Sequence, residues 1–323
     1  MTDEVTQRSG KPLLGIGSCL AGNKVRYNGD SKKANGHVQA LGELFETQAF
    51  CPEMAIGMGV PRPPIHLVGD EDSVRVLDVA KHEQDYTAPI RDYARQVVTQ
   101  TPQLCGYILV KGSPSCGWGR VKRYSQQGNL LASDQNGVFA NALHAADPLL
   151  PLEDDGRLND PGLRESFVTR AYTYYEWRAL KAQGLTAKGL IAFYSRYKYL
   201  TMAHDVPSYK KLGKMLANAG KENIEELSQN FISTLMTALT RPATRRSHSN
   251  TLFHIAGYLK RRIPDEQKRR LTALIEDYRT GQIPLVVPVT MLRHHFADNP
   301  DAYINSQVFM SPYPDKLGLR NVL

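Results

Sequence analysis

Three cysteines stand at positions where side chains can converge. Cys19 lies in Gly17-Ser18-Cys19-Leu20, Cys51 in Phe50-Cys51-Pro52-Glu53, and Cys116 in Ser113-Pro114-Ser115-Cys116-Gly117. Each follows a short apolar run that reads as a β-strand, so each thiol falls where a strand gives way to a loop. Three thiolates gathered at neighbouring strand ends form an incomplete ligand set, able to hold a metal centre with one coordination position free. Structural zinc favours four ligands, often in paired C-x-x-C knuckles, and that spacing is absent from the chain. Iron–sulfur clusters accept widely spaced cysteines. Spacing alone leaves a second reading open, in which the three are separate buried or idle thiols. The remaining cysteine, Cys105, lies inside the apolar run Leu104-Cys-Gly-Tyr-Ile-Leu109 and reads as a small core residue.

Other polar groups attend these thiols. Glu53 sits two residues past Cys51, with Pro52 stiffening the link, and a carboxylate beside a metal centre can move protons. Ser113 and Ser115 flank Pro114; their hydroxyls could bind a substrate or cluster sulfurs, or serve only the turn. Arg62, held between prolines, could meet an anion or a base edge, or brace its own loop.

The elements that position these residues alternate between strand and helix. Leu13–Gly17 is a short apolar run, Gly36–Thr47 has helical spacing, and Gln48–Cys51 leads into a loop. Val74–Val79 alternates like a strand, and Pro89–Thr101 reads as an amphipathic helix. Cys105–Val110 has the continuous apolar pattern of a buried central strand. This alternation predicts a Rossmann-like α/β domain with a mostly parallel sheet. Ligands in such sheets bind outside the carboxyl ends of the strands, where the cysteines fall. A helix over Arg164–Gln183 ends at Gly184, and the domain boundary is drawn there, giving domains 1–184 and 185–323. The second domain is expected to be all-α, with helices near 191–203, 209–219, 224–240, 251–262, 265–280 and 289–296.

Charge separates the two halves. From Thr186 onward the chain carries 20 Lys+Arg and 11 Asp+Glu, a balance of +9; the preceding part holds the other 20 and 21, a balance of −1. A positive field concentrated in one domain suits a polyanion, nucleic acid first, with simple solubility as the plainer alternative. Tyr194-Ser-Arg-Tyr-Lys198-Tyr and Met202-Ala-His204-Asp interleave aromatic and basic groups, so Lys198 and His204 are candidate RNA contacts, although some of these tyrosines must face a helical core. Arg241-Pro-Ala-Thr-Arg245-Arg246 and Lys260-Arg-Arg262 are denser candidates for phosphate. No apolar run approaches the roughly 18 residues that a membrane helix requires. The polar N-terminus, with Asp3 and Glu4, does not resemble a secretory signal. A reducing cytoplasmic setting is therefore expected, where cysteines more often serve metals or catalysis than disulfides.

Taken together, Gly-Ser-Cys19-Leu, Val25-Arg-Tyr-Asn-Gly29, Cys51-Pro-Glu53, Gly59-Val-Pro-Arg-Pro-Pro64, Lys111-Gly-Ser-Pro-Ser-Cys116-Gly and Gly156-Arg-Leu-Asn-Asp160 resemble the thiouracil desulfidase family (TudS). Tyr197-Lys-Tyr-Leu and Met202-Ala-His204 resemble the YbgA-like domain, and the fusion is similar to the two-domain tRNA 4-thiouridine desulfidases (RudS). The resemblance implies an oxygen-sensitive [4Fe-4S] cluster on Cys19, Cys51 and Cys116, with one open iron for the substrate's thiocarbonyl sulfur. It implies proton transfer and substrate activation by Glu53 and Ser113, and 4-thiouridine in tRNA as substrate. Arg62, Ser115, Lys198, His204, Arg245 and Arg246 are the candidate substrate or RNA contacts. Two rival expectations stand beside it: the same chemistry on free thiouracil or thionucleosides, and a non-enzymatic nucleic-acid-binding iron–sulfur protein.

Overall fold

The computed structural model describes residues 10–80 and 84–323. The chain divides into two compact units, one spanning Gly10–Asp160 and the other built from Pro161–Leu323.

In the first unit the described residues form strands β1 (Leu13–Gly17), β2 (Glu46–Phe50), β3 (Ile65–Val68), β4 (Arg75–Asp78), β5 (Leu104–Leu109), β6 (Val121–Tyr124), β7 (Leu130–Gln135) and β8 (Leu152–Asp154). Helices α1 (Gly36–Ala40), α2 (Pro52–Ala55), α3 (Thr87–Gln100) and α4 (Val138–Ala146) are interleaved with them. One sheet has the order β2-β1-β5-β8 and is parallel throughout, the α/β architecture expected from the alternation. Every residue of β5 is buried, as a central strand covered on both faces requires. Gly15 of β1 lies opposite Tyr107 of β5, and a Cβ there would stand 2.2 Å from the Tyr107 ring. Glycine is what lets that aromatic ring lie fully buried across β1.

Parallel pairing brings the strand ends Gly17, Phe50, Leu109 and Asp154 to one edge of the sheet. β2 is the edge strand, and of Glu-Thr-Gln-Ala-Phe only Phe50 is buried. The helical spacing over Gly36–Thr47 therefore overruns. α1 stops at Ala40, a 3-10 turn follows, and backbone pairing with β1 draws Glu46–Phe50 into the sheet despite its polar side chains.

A second sheet, ordered β4-β3-β6-β7, is mixed: β3 runs parallel to β6, and the outer pairs are antiparallel. Of its strands the sequence pattern indicated only β4.

The second unit is helical: α5 (Pro161–Ala182), α6 (Ala187–His204), α7 (Val206–Leu216), α8 (Ile224–Leu239), α9 (Arg245–Ala256), α10 (Asp265–Thr280), α11 (Val286–Asp298) and α12 (Ala302–Asn305). Its core is aromatic. Trp177 meets Phe193 edge-on at 5.8 Å, and Phe193 stacks on Tyr197 at 4.5 Å. The Ser166 hydroxyl donates to the Leu239 carbonyl at 3.1 Å and the Tyr197 hydroxyl to Glu176 at 3.0 Å, so α5 belongs to this bundle. The compact units accordingly meet at Asp160/Pro161, whereas the boundary drawn at Gly184 marks only the end of one helix. No described helix is long and apolar enough to cross a membrane.

Candidate active site

The edge that collects the strand ends carries a cavity of about 270 Å³. Cys19, two residues past β1, Cys51, directly before α2, and Cys116, in the turn after β5, all line it. All four cysteines are free thiols, and Cys105 lies buried within β5, its thiol donating to the Gln103 carbonyl at 3.3 Å. The Cys116 turn is held from both sides. Gly117 N–H donates to Ser113 O at 2.7 Å, and Phe139 N–H at the start of α4 donates to Ser115 O at 2.9 Å. Gly137 permits that approach, because a Cβ there would lie 2.2 Å from Ser115 O. The Cys19 loop folds back in the same way, with the N–H groups of Lys32 and Lys33 donating to the Cys19 carbonyl at 3.1 and 3.2 Å.

Glu53 is buried and bonded at both carboxylate oxygens. Its Oε1 accepts from the Ser115 hydroxyl in a short contact, and its Oε2 accepts from the Cys51 thiol at 3.1 Å. Ser115 is fully buried and 3.0 Å from the Ser113 hydroxyl. Ser115 has a single proton, and the shortest contact directs it to Glu53, so Ser113 donates to Ser115. Ser113, Ser115 and Glu53 thus form a relay whose outer member, Ser113, lines the cavity. Arg62 donates to the carbonyls of Gly59 at 2.9 Å and Val25 at 2.8 Å, and brings its charge to 3.9 Å from Glu53 Oε2. It both braces the proline-rich loop and faces the acid.

One charged group at this edge escapes the sequence pattern. Asp155, directly after β8, accepts from Lys32 Nζ and from Lys111 N–H, each at 2.8 Å, so it ties the Cys19 loop to the loop that follows β5. The signal was the acidic run Glu153-Asp-Asp155 at a strand end, which reads equally well as a solvated loop. Lys32 and Lys111 both line the cavity.

The thiols are held protonated. Burial first, and then the Glu53 charge, raise the pKa of Cys19, Cys51 and Cys116, that of Cys51 to about 12. Cys51 and Cys19 also raise the pKa of Cys116, to a smaller extent. A bound metal reverses this balance, because a coordinating thiol loses its proton outright. Among the described residues no three His, Cys, Asp or Glu side chains are grouped to hold a single metal ion. A multinuclear cluster takes each cysteine on a different iron, so its ligands stand wider apart than those of one ion. The Tyr107 hydroxyl supports a group of that kind. It is buried without a hydrogen-bond partner among the described residues, and the titratable groups acting on it include Cys116, Cys51 and Glu53. A thiolate or sulfide of a group held by these cysteines would accept a hydrogen bond from it.

The helical unit places the other candidates differently. Tyr197 faces the core, while Lys198 is half-buried. His204 lies half-buried at the end of α6 with Nδ1 2.7 Å from the Arg241 carbonyl, and burial holds its pKa low. Arg245 is not a free phosphate contact. It stacks on Tyr278 at 5.0 Å and donates to the carbonyls of Tyr278 and Ile283 at 3.0 and 3.1 Å. The expected loop through Arg246 in fact ends at Thr244, whose side chain caps α9 in a capping box with Ser247. Arg246 is exposed and forms no ion pair among the described residues, but Arg262 is paired with Asp301 at 2.9 Å.

Known proteins match the chain in two parts. Residues 198–314 match a family described as a protein of unknown function, DUF1722. The uncharacterized protein YbgA of Escherichia coli (strain K12) is 33% identical over 158 residues, covering 49% of this chain and 94% of that protein. The chain belongs to the YbgA family. Residues 14–155 of this YbgA-family chain match the family described as 2-thiouracil desulfurase, the span that contains the cavity and its cysteines. The uncharacterized protein YbbK of Bacillus subtilis (strain 168) is 28% identical over 140 residues, which is 42% of this chain and 91% of that protein. The solved structure of a [4Fe-4S]-dependent thiouracil desulfidase, TudS, is 27% identical with a TM-score of 0.38, covering 46% of this chain and 94% of that one.

Proposed function

We propose that this chain is a [4Fe-4S]-dependent desulfidase that converts 4-thiouridine in tRNA to uridine. One observation carries the reading: Cys19, Cys51, Cys116 and Glu53 line one cavity within the span that matches the 2-thiouracil desulfurase family. The three cysteines would hold the cluster, and an iron without a protein ligand would supply a soft Lewis acid that prefers thiocarbonyl sulfur to oxygen. The overall change exchanges the thiocarbonyl sulfur for the oxygen of water and releases hydrosulfide, with no electron transferred.

The residues supply position and protons. Cys51 gives up its proton as a ligand, and Glu53 Oε2 then loses the donor it holds at 3.1 Å. That oxygen becomes an acceptor for a proton from attacking water. Ser115 fixes the carboxylate through Oε1, and Ser113 presents the outer hydroxyl of the relay to the substrate. Arg62 keeps a positive charge beside the acid throughout.

Charge supports RNA as the carrier of the base. Lys210, Lys211 and Lys214 of α7, together with Arg246, Lys260 and Arg261, are exposed and form no ion pair among the described residues. They remain available to phosphates after the paired cations of the basic half are set aside. A second reading, the same chemistry on free thiobases, draws on the match of residues 14–155 to the 2-thiouracil desulfurase family. The test follows the near-ultraviolet thiocarbonyl absorbance after anaerobically reconstituted protein meets 4-thiouridine-bearing tRNA or free 4-thiouracil. Loss on the tRNA is expected. Loss only on the free base would leave the second reading, and loss on neither would reject both.

A further inference from the structure

Beside the cysteine cavity, on the same unit, lies a second pocket of about 650 Å³, and the two share Ile65, Gly112 and Pro114 as a common wall. The second sheet supplies its aromatic side. His66 of β3 and Tyr124 of β6 stand with ring centroids 5.6 Å apart, tilted by 35°, and both are half-buried. Parallel pairing of Val68 with Tyr124 sets the two strands side by side. Arg120 and Lys122 line the same pocket, are exposed, and form no ion pair among the described residues. No described residue lining it carries a carboxylate.

Aromatic faces next to unpaired cations match the two halves of a nucleotide, since rings take a base or a ribose edge and cations take the phosphate. A free thiobase in the adjoining cavity would leave all four groups unused. A base attached to its sugar and phosphate would extend across the shared wall into them.

We propose that this pocket is a subsite for the phosphate and neighbouring nucleotide of a strand whose thiolated base occupies the cysteine cavity. The inference rests on the desulfidase reading for the identity of that first base, and it makes the preferred substrate a nucleotide within a strand rather than a free base. Selection then resides in the catalytic unit itself, independent of the basic helices. The phosphate term weakens as salt rises, because each cation–phosphate contact releases counterions.

Two measurements on the full, cluster-loaded chain test it. In the first, turnover is compared for 4-thiouracil, 4-thiouridine 3′- and 5′-monophosphates and a uridine dinucleotide containing 4-thiouridine. The wild type should prefer the dinucleotide, and Arg120→Ala/Lys122→Ala should raise its KM roughly tenfold, about 1.4 kcal/mol, with kcat and free-base turnover unchanged. Tyr124→Leu should lower the advantage of the dinucleotide over the monophosphates. Equal efficiency of the wild type on free base and dinucleotide would overturn the subsite, as would an unchanged KM in the double variant. In the second, calorimetric titration with unthiolated uridine dinucleotide, against uracil, needs no turnover. If no thiobase is converted while Arg120- and Lys122-dependent binding persists, the desulfidase reading fails and the subsite stands. If free base is converted but the dinucleotide binds no better than uracil, the subsite fails alone.

Discussion

Glu53 is the residue on which the proposed chemistry turns, because one of its oxygens is committed to Ser115 and the other to a thiol that a metal would deprotonate. Glu53→Gln should lower turnover roughly a hundredfold or more, the usual weight of a positioned acid–base group, while iron and sulfide content stay at the wild-type level. Equal loss of iron would make Glu53 a structural support for the cysteines instead. Tyr107 offers a separate check. Its unpartnered hydroxyl should cost the metal-free protein about 1 kcal/mol, so Tyr107→Phe should raise the melting temperature of metal-free protein and lower that of the loaded form. Shifts of the same sign in both would mean that the hydroxyl does not serve the bound group. The three cysteines were legible in the sequence because a short apolar run followed by small residues marks a strand end. Ser115 was legible as a candidate contact but not as the buried partner of Glu53, and Tyr107 was not legible, since their burial depends on Gly137 and Gly15 admitting a backbone or a ring from elsewhere in the fold.

At the scale of elements, α9 shows how a basic cluster separates into structure and surface. Arg245→Ala removes a stacked, doubly hydrogen-bonded guanidinium and should destabilise the helical unit by about 1–3 kcal/mol, read by thermal melting. Arg246→Glu should leave melting unchanged and weaken tRNA binding. The sequence showed the density of positive charge but not this division, which the Thr244 capping box decides by starting the helix at Arg245. His248, on the same helix, is buried against Tyr278 and Phe309, and its Nδ1 has no partner among the described residues. Burial first, then the Arg320 charge, hold its pKa well below 6.5. The unfolded chain binds a proton at this position below pH 6.5 that the native chain does not, so stability is present above that pH and falls as pH drops. The loss should reach about 1.4 kcal/mol by pH 5.5. His248→Phe should flatten that dependence, as measured by melting at pH 7.5 and 5.5. The second sheet was the main element-scale omission. Apart from β4, its strands are short and weakly patterned, and β7 buries no residue, so no hydrophobic alternation announced β3, β6 or β7.

Across the whole molecule, the two units differ in charge: the one matching the desulfurase family is near neutral, and the helical one is strongly basic. Many of those cations are already paired, as in Arg241–Asp205, Arg293–Asp315 and the Glu266 pairs with Arg269 and Arg270. Net charge therefore overstates the surface open to RNA, and α7 offers a sharp test of it. Lys210→Glu/Lys211→Glu/Lys214→Glu should weaken tRNA binding and reduce the slope of log K against log salt by about 3, one for each lysine withdrawn from a phosphate. Turnover of free 4-thiouracil should be unaffected, and an unchanged slope would remove α7 from the RNA surface. The cluster comes before all of these, since the proposed chemistry requires iron held by three cysteines. The deciding measurement is an anaerobic count of iron and acid-labile sulfide per chain, in the wild type and in single Cys→Ala variants. About four of each are predicted for the wild type and for Cys105→Ala, with loss in Cys19→Ala, Cys51→Ala and Cys116→Ala. A full count in any of those three, or its loss in Cys105→Ala, would overturn the assignment of the ligands and the chemistry built on it.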